Sequence, residues 1–297
     1  MSNSSPNLVS TNEKRKKVTT LTLRRKKQAG APISMLTAYD YPTALIMDQV
    51  GIDAILVGDS LGMVVLGYPD TLPVTMEDML HHCQAVARGA QYAMLIGDMP
   101  FMSYQASTQE AVRNAGRFLQ QAGMDAVKLE GGRERLETIR AIVSAGIPVM
   151  GHLGLTPQSV NQLGGFRPQA RKAAAARRLY EDALILQDGG CFSLVLESVP
   201  ARLAAYLSQR LEIPTIGIGA GAGCDGQVLV SHDLLGLFQR FTPRFVKKYT
   251  DLHGEMTRAF RAYIDEVGSR SFPADEHTID MPDDEWRAFL EAMEGQS

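Results

Sequence analysis

The chain has 297 residues, 45% of them hydrophobic and 21% charged, with a formal net charge of −3. That is enough for a large core, built as two domains or as one barrel, and the near-neutral charge excludes a global pull toward nucleic acid or an anionic membrane. No uncharged apolar run could span a bilayer, the N-terminus lacks the apolar stretch of a secretory signal, and the scattered cysteines Cys83, Cys191 and Cys224 form neither a metal-type pair nor a disulfide framework, so a cytoplasmic protein is expected.

Residues 1–17 are rich in Ser, Asn and Thr and then basic (Lys14-Arg-Lys-Lys17), which reads as a disordered, solvated tail rather than a targeting or nucleic-acid arm. Residues 18–28 read as a helix that caps one end of the fold, with Thr19 or Thr20 as its N-cap and Gly30 at its end. The first strand is expected over residues 33–38, and Pro42 opens a helix that runs to residue 50. A second apolar run, residues 54–57, stops at Gly58-Asp59-Ser60. A strand buried on both faces delivers a carboxylate in this way, where it leaves the core. The loop over residues 61–74 is long enough to be functional. Thr75 and Asp78 form a capping-box pattern, and the helix behind them carries His81 and His82. Adjacent helical histidines point about 100° apart, so they make no shared metal site and are assigned to the surface.

The third strand ends at Asp98, and residues 108–122 form an amphipathic helix closed by Gly123. The fourth strand carries Lys128 and Glu130, two apart and therefore on one side. Residues 133–144 are helical, the fifth strand ends at Gly151-His152, and a long Gly/Pro/Asn-rich stretch covers residues 153–170. A helix over residues 172–188 leads to a sixth strand that ends at Glu197, and a helix from Val199-Pro200 runs to Arg210. Residues 213–218 and 227–230 are the seventh and eighth strands, and helical residues 244–267 close the series. Beyond Pro273 the chain is acidic, with one amphipathic piece near Trp286. Eight strand-like runs, most followed by a helix, imply a single (β/α)8 TIM barrel over residues 18–272, with its chemistry at the C-terminal strand ends, and an acidic tail over residues 273–297. An open doubly wound sheet would gather its polar groups at one crevice, whereas here they are spread over at least five consecutive strands.

Asp59 and Asp98, brought together without a counter-charge, would repel, and a divalent cation removes that conflict. Oxygen ligands alone favour Mg2+ or a similar hard ion. Either aspartate could instead cap the following helix, but the pair together with Glu130 favours the metal. Lys128 could be an internal ion pair with Glu130, or could hold a bound carboxylate or a developing oxyanion. Glu197, on another strand, suits proton transfer, the alternative being a salt bridge to Arg167. His152 is either a donor to substrate or a structural hydrogen-bonder. The Gly217 to Gly223 run suggests a nucleotide site but lacks the following helix and the spaced acid, so it reads as a tight loop at the barrel mouth.

Taken together, Thr37-Ala-Tyr-Asp-Tyr41, Val57-Gly-Asp-Ser-Leu-Gly62, Thr71-Leu-Pro-Val-Thr75, Asp98-Met-Pro-Phe-Met102, Val127-Lys-Leu-Glu-Gly-Gly132, Gly151-His-Leu-Gly-Leu-Thr-Pro-Gln-Ser-Val-Asn161, Val195-Leu-Glu197, Ile216-Gly-Ile-Gly-Ala-Gly221 and Asp225-Gly-Gln227 resemble the ketopantoate hydroxymethyltransferase family over roughly residues 30–275. The resemblance implies a barrel of the phosphoenolpyruvate/pyruvate type, commonly a homodecamer. It implies transfer of a hydroxymethyl group from 5,10-methylenetetrahydrofolate to 3-methyl-2-oxobutanoate, through a Mg2+-stabilised enolate, in pantothenate biosynthesis. By position, Asp59 and Asp98 match the family's metal ligands, and Glu130 matches the acid that supports the metal through its water. Ser60, Asp98 and Lys128 match the residues that hold the keto acid, Glu197 matches the catalytic base, and His152 lies in the matching substrate pocket. Family members usually carry Gly where Ala170 stands and Cys where Ser198 stands. Two rivals remain: a folate-independent Mg2+ lyase or mutase on the same barrel, and a non-catalytic barrel used for binding.

Overall fold

The computed structural model describes residues 15–165 and 167–295, so the expectation for residues 1–14 lies outside the described residues. Eight parallel strands, each paired with the next, close into a barrel when β8 meets β1. They are β1 (Ile33–Thr37), β2 (Ala54–Val57), β3 (Met94–Asp98), β4 (Ala126–Glu130), β5 (Val149–Gly154), β6 (Ser193–Glu197), β7 (Thr215–Ile218) and β8 (Gly226–Leu229).

Strand alternation sorts the side chains into two cores. Met35, Leu56, Ile96, Met150, Val195 and Val228 pack inside the barrel, where Leu23 of the N-terminal helix Thr20–Gln28 joins them. Residues of the opposite parity, such as Ile55, Val57, Leu95, Val127 and Leu129, face outward into a second cluster with Phe118, Ile139 and Leu186 of the surrounding helices. Gly97 lies on that outer face because a Cβ there would collide with the Phe118 ring.

The first turns behave as their sequence suggests. Thr19 caps the N-terminal helix, and Thr75 and Asp78 form a reciprocal capping box on Met76–Gly89. Gly123 ends Thr108–Ala122 in the left-handed conformation. Arg15 and Lys17, grouped with the tail in the sequence, are anchored. Arg15 donates to the Asp48 and Ile52 carbonyls, and Lys17 donates to the Ala93 carbonyl and pairs with Asp125 at 2.7 Å. His82 is half-buried and its Nδ1 lies 2.6 Å from the Tyr39 carbonyl oxygen, so it ties its helix to the barrel rather than simply facing water.

Two boundaries shift. β5 runs to Gly154 rather than stopping at His152, because Gly154 pairs with Glu197 of β6. Its φ of +100° suits glycine, and a Cβ there would strike the Glu197 carbonyl oxygen. After β8 there is only a short helix, Ser231–Leu234, and the helix expected from residue 244 begins at Leu252. The Tyr249 N–H is committed to the Leu234 carbonyl at 2.8 Å, and Asp251 supplies the cap. The barrel belongs to a compact unit that ends at Tyr249. The residues from Thr250 onward form a second unit, with helices Leu252–Ser269 and Asp283–Glu294. Among the described residues, no helix is long and apolar enough to cross a membrane.

Candidate active site

Parity and register together build the site. Residues two beyond the interior apolar layer point into the barrel mouth: Ile96 is followed by Asp98, Ala126 by Lys128 and Glu130, Met150 by His152, and Val195 by Glu197. Register sets Asp98 beside Lys128, and Glu130 beside His152. Asp59 and Ser60 follow the end of β2. All of these residues line one cavity of about 180 Å³. The structure therefore brings together every site residue expected from the sequence.

Asp59, Asp98, Lys128, Glu130 and His152 are buried. Lys128 Nζ donates to both Asp98 oxygens at 2.8 and 2.9 Å and lies 3.9 Å from Glu130 Oε1. The Asp59 N–H donates to Asp98 Oδ2 at 3.3 Å. Tyr39 Oη lies 2.9 Å from Ser60 Oγ, which fixes that hydroxyl at the rim. His152 sits between two acids, with Nδ1 3.5 Å from Glu130 and Nε2 3.3 Å from Glu197. Neither contact is aligned as a hydrogen bond, so both imidazole nitrogens lack a partner among the described residues. His152, rather than Arg167, is therefore the near neighbour of Glu197.

Charge explains the titration behaviour. Burial and the Lys128 charge push His152 down, but Glu130 and Glu197 outweigh them and lift it to about 9. Burial opposes charge on Lys128 too, yet Asp98, Glu130 and Asp59 hold it above its ordinary value. Burial raises Glu130, but His152, Lys128 and the Gln158 N–H bring it below the usual range. Asp59 is driven well above the carboxylate range by burial and by the Asp98 and Glu130 charges. Asp98 is raised mainly by burial, against the pull of Lys128.

Sequence reading missed Gln158, in the turn Pro157–Ser159 after β5. Its Nε2 donates to Asp59 Oδ2 and to the Met99 carbonyl, each at 2.9 Å. Its Oε1 accepts from the Tyr104 hydroxyl at 2.6 Å and from Gln105 at 3.2 Å, and its backbone N–H donates to Glu130 Oε2 at 3.0 Å. One residue thus ties together the ends of three strands. The signal available was a glutamine inside a long Gly-rich loop, which does not name its partners.

The donor set fits a hard divalent cation. Asp98 has Lys128, but Asp59 has only an amide, so the mouth holds more carboxylate than its own cations neutralise. Among the described residues, no three His, Cys, Asp or Glu side chains form a ready-made cage. A cation at Asp59 and Asp98 would complete its shell with water and ligand oxygens, as Mg2+ commonly does.

A family model described as ketopantoate hydroxymethyltransferase matches residues 17–275. A 3-methyl-2-oxobutanoate hydroxymethyltransferase of Syntrophus aciditrophicus is 60% identical over 271 residues, covering 91% of this chain and 100% of that protein. One from Acetivibrio thermocellus is 55% identical over 267 residues, covering 90% and 94%. Among solved structures, phosphonopyruvate hydrolase aligns with a TM-score of 0.58 at 12% identity over 93% of this chain and 96% of its own. For 2,3-dimethylmalate lyase the values are 0.56, 16%, 93% and 97%. At these identities the structural likeness speaks for the fold alone.

Proposed function

This chain belongs to the ketopantoate hydroxymethyltransferase family, and from that premise we propose that it transfers a hydroxymethyl group from 5,10-methylenetetrahydrofolate to 3-methyl-2-oxobutanoate, giving 2-dehydropantoate. The observation that carries the reading is the meeting of Asp59, Asp98, Lys128 and Glu197 around one buried mouth, in a chain 60% identical to a protein of that name.

The residues divide the work. Lys128 and Ser60 hold the keto acid by its anionic end. A Mg2+ ion held by Asp59 and Asp98, with Glu130 behind it, would supply Lewis-acid polarisation of the carbonyl. Glu197 takes the C3 proton, and protonated His152 beside it steadies the carboxylate before the transfer. Lys128 then stabilises charge that develops on the substrate oxygen. Water cleaves the methylene carbon from the folate nitrogens as tetrahydrofolate leaves, and the nucleophilic carbon adds to the resulting formaldehyde-level carbon, whose oxygen takes up a proton to become the hydroxymethyl group. Burial of the acids keeps bulk water from competing for the proton.

Incubation with both substrates, with and without Mg2+, tests the reading: product should require all three. Conversion of the keto acid to a different product without folate would favour a lyase or mutase instead. Glu197→Gln should slow C3 proton exchange by roughly 10²- to 10⁴-fold while Mg2+ binding persists, and fast exchange in that variant would remove Glu197 as the base.

Homo-oligomeric assembly, a decamer by family resemblance, is part of the same proposal. Exposed Phe260, Tyr263, Ile264 and Val267 on Leu252–Ser269 support it, since large apolar patches commonly mark contacts. Light scattering that gave a monomer mass would reject it. A cytoplasmic location is supported by the free state of Cys83, Cys191 and Cys224.

A further inference from the structure

The mouth contains one acid that the chemistry above leaves without a task. Asp233 lies in the short helix Ser231–Leu234 after β8 and lines the same cavity as Asp59, Asp98 and Lys128. It is 8% exposed. Its neighbours at the mouth are accounted for: Asp98 by Lys128, Glu130 by the Gln158 N–H, and Asp59 by the Gln158 amide. Among the described residues, the Asp233 carboxylate has no hydrogen bond and no ion pair. Burial pushes its carboxyl up to about 6, with the Lys248 charge pulling the other way. Its oxygens open onto the cavity with no partner among the described residues, so a ligand that enters there meets an acceptor with free capacity.

The surroundings narrow the class of ligand. Phe238, Phe241 and Phe245, with Val230 and Val246, line the same cavity as Asp233, and Phe241 is 61% exposed. Flat aromatic walls receive the faces of a planar ring. The keto acid cannot be the partner of Asp233, because its own carboxylate would be repelled. What fits is a planar heterocycle with two adjacent N–H donors on one edge. A carboxylate accepts two parallel N–H bonds with charge assistance, as it does from a guanidinium.

We propose that Asp233 anchors the one-carbon donor by accepting from the ring N–H and the adjacent amino group of its 2-amino-4-oxopteridine, with Phe238, Phe241 and Phe245 covering the ring. The assignment rests on the folate-dependent reading above. It separates the two substrates by chemistry within one cavity, the anionic keto acid at Lys128 and the donor-edged heterocycle at Asp233.

Calorimetric titration of the full-length protein with tetrahydrofolate and with its 2-desamino analogue tests this. The wild-type protein should bind the desamino analogue roughly 10- to 100-fold more weakly, the usual loss for hydrogen bonds to a charged group. Asp233→Ala should bind tetrahydrofolate more weakly by a similar factor and should no longer distinguish the two ligands. The wild-type comparison stands even where the variant fails to fold. Equal wild-type affinity for both ligands, or a folded Asp233→Ala that retains wild-type affinity, overturns the assignment while leaving the folate reading intact. A wild-type protein that binds neither ligand overturns both.

Discussion

At the scale of single residues, Gln158 carries more structure than its neutral side chain suggests. Removing its amide strands the Asp59 oxygen and the Met99 carbonyl in a buried place. Gln158→Leu should therefore lower the unfolding free energy by about 1–3 kcal/mol, read as a fall in the urea midpoint, and should weaken binding of Mn2+ used as a probe ion. An unchanged midpoint would show that the amide is replaceable. Ala170 is a different case. Its φ is +55°, a region that costs a residue with a Cβ roughly 1–2 kcal/mol. Nearby, the Gln169 N–H bonds the Ser198 carbonyl at 2.9 Å, and Ser198 itself has φ +51°. Ala170→Gly should raise stability by about 0.5–1 kcal/mol, the relief being partly offset by glycine's greater chain entropy. A lower midpoint in thermal unfolding would mean that the Ala170 methyl makes a contact worth more than the strain. The acids and Lys128 were legible because each closes an apolar strand, a pattern that local sequence displays. Gln158 was not, because its bonds to Asp59 and Glu130 span 99 and 28 positions. Asp233 was passed over because it follows a strand by several residues, within a polar Ser-His-Asp run.

Asp48 shows how elements are joined. It lies in the last turn of the helix Tyr41–Gln49, where the helix dipole disfavours a carboxylate. It accepts N–H bonds from Gln91, Tyr92 and Ala93 at 3.1, 3.0 and 2.7 Å, tying that helix to the approach to β3. Burial raises its pKa, but those three bonds and Arg15 outweigh burial and hold it below the ordinary value. A carboxylate depressed in the folded state adds stability that is present above its unfolded pKa of about 3.9 and is lost as pH falls through the lower folded value. Asp48→Asn should therefore cost about 1–3 kcal/mol at pH 7, with a smaller difference at pH 3. Urea midpoints at the two pH values check this, and a difference that did not shrink in acid would remove the linkage. Strands and helices were legible wherever apolar period and caps agreed, as at Thr108–Ala122. The stretch before Leu252 misled because its composition permits a helix while the Tyr249 bond to Leu234 commits a backbone N–H elsewhere.

For the barrel as a whole, the end opposite the site is held by charge. Lys26 pairs with Asp53 at 2.6 Å, Lys27 with Asp225 at 2.7 Å and Lys17 with Asp125 at 2.7 Å. Each of these aspartates also accepts a backbone N–H from a neighbouring strand: Ser34, Thr215 and Leu95 respectively. The N-terminal helix is thus fastened beneath β2 and β8, and the residues leading into it beneath β4. Replacing Lys26 and Lys27 together with Met should cost about 1–3 kcal/mol, since half-sheltered pairs fall between exposed and buried ones. The loss should be smaller in high salt, where the wild-type pairs are screened. A salt-independent loss would point to packing of the lysine stems instead. The closing pair of strands has a consequence for how the molecule comes into being. Ile33 lies beside Gly226, so the first strand made at the ribosome waits for the last one before its open side is covered. Until then the nascent chain carries an unsatisfied row of amides and carbonyls. Rapid translation through residues 200–230, or a chaperone that shelters the N-terminal half, should therefore govern how much of the newly made polypeptide reaches its native state.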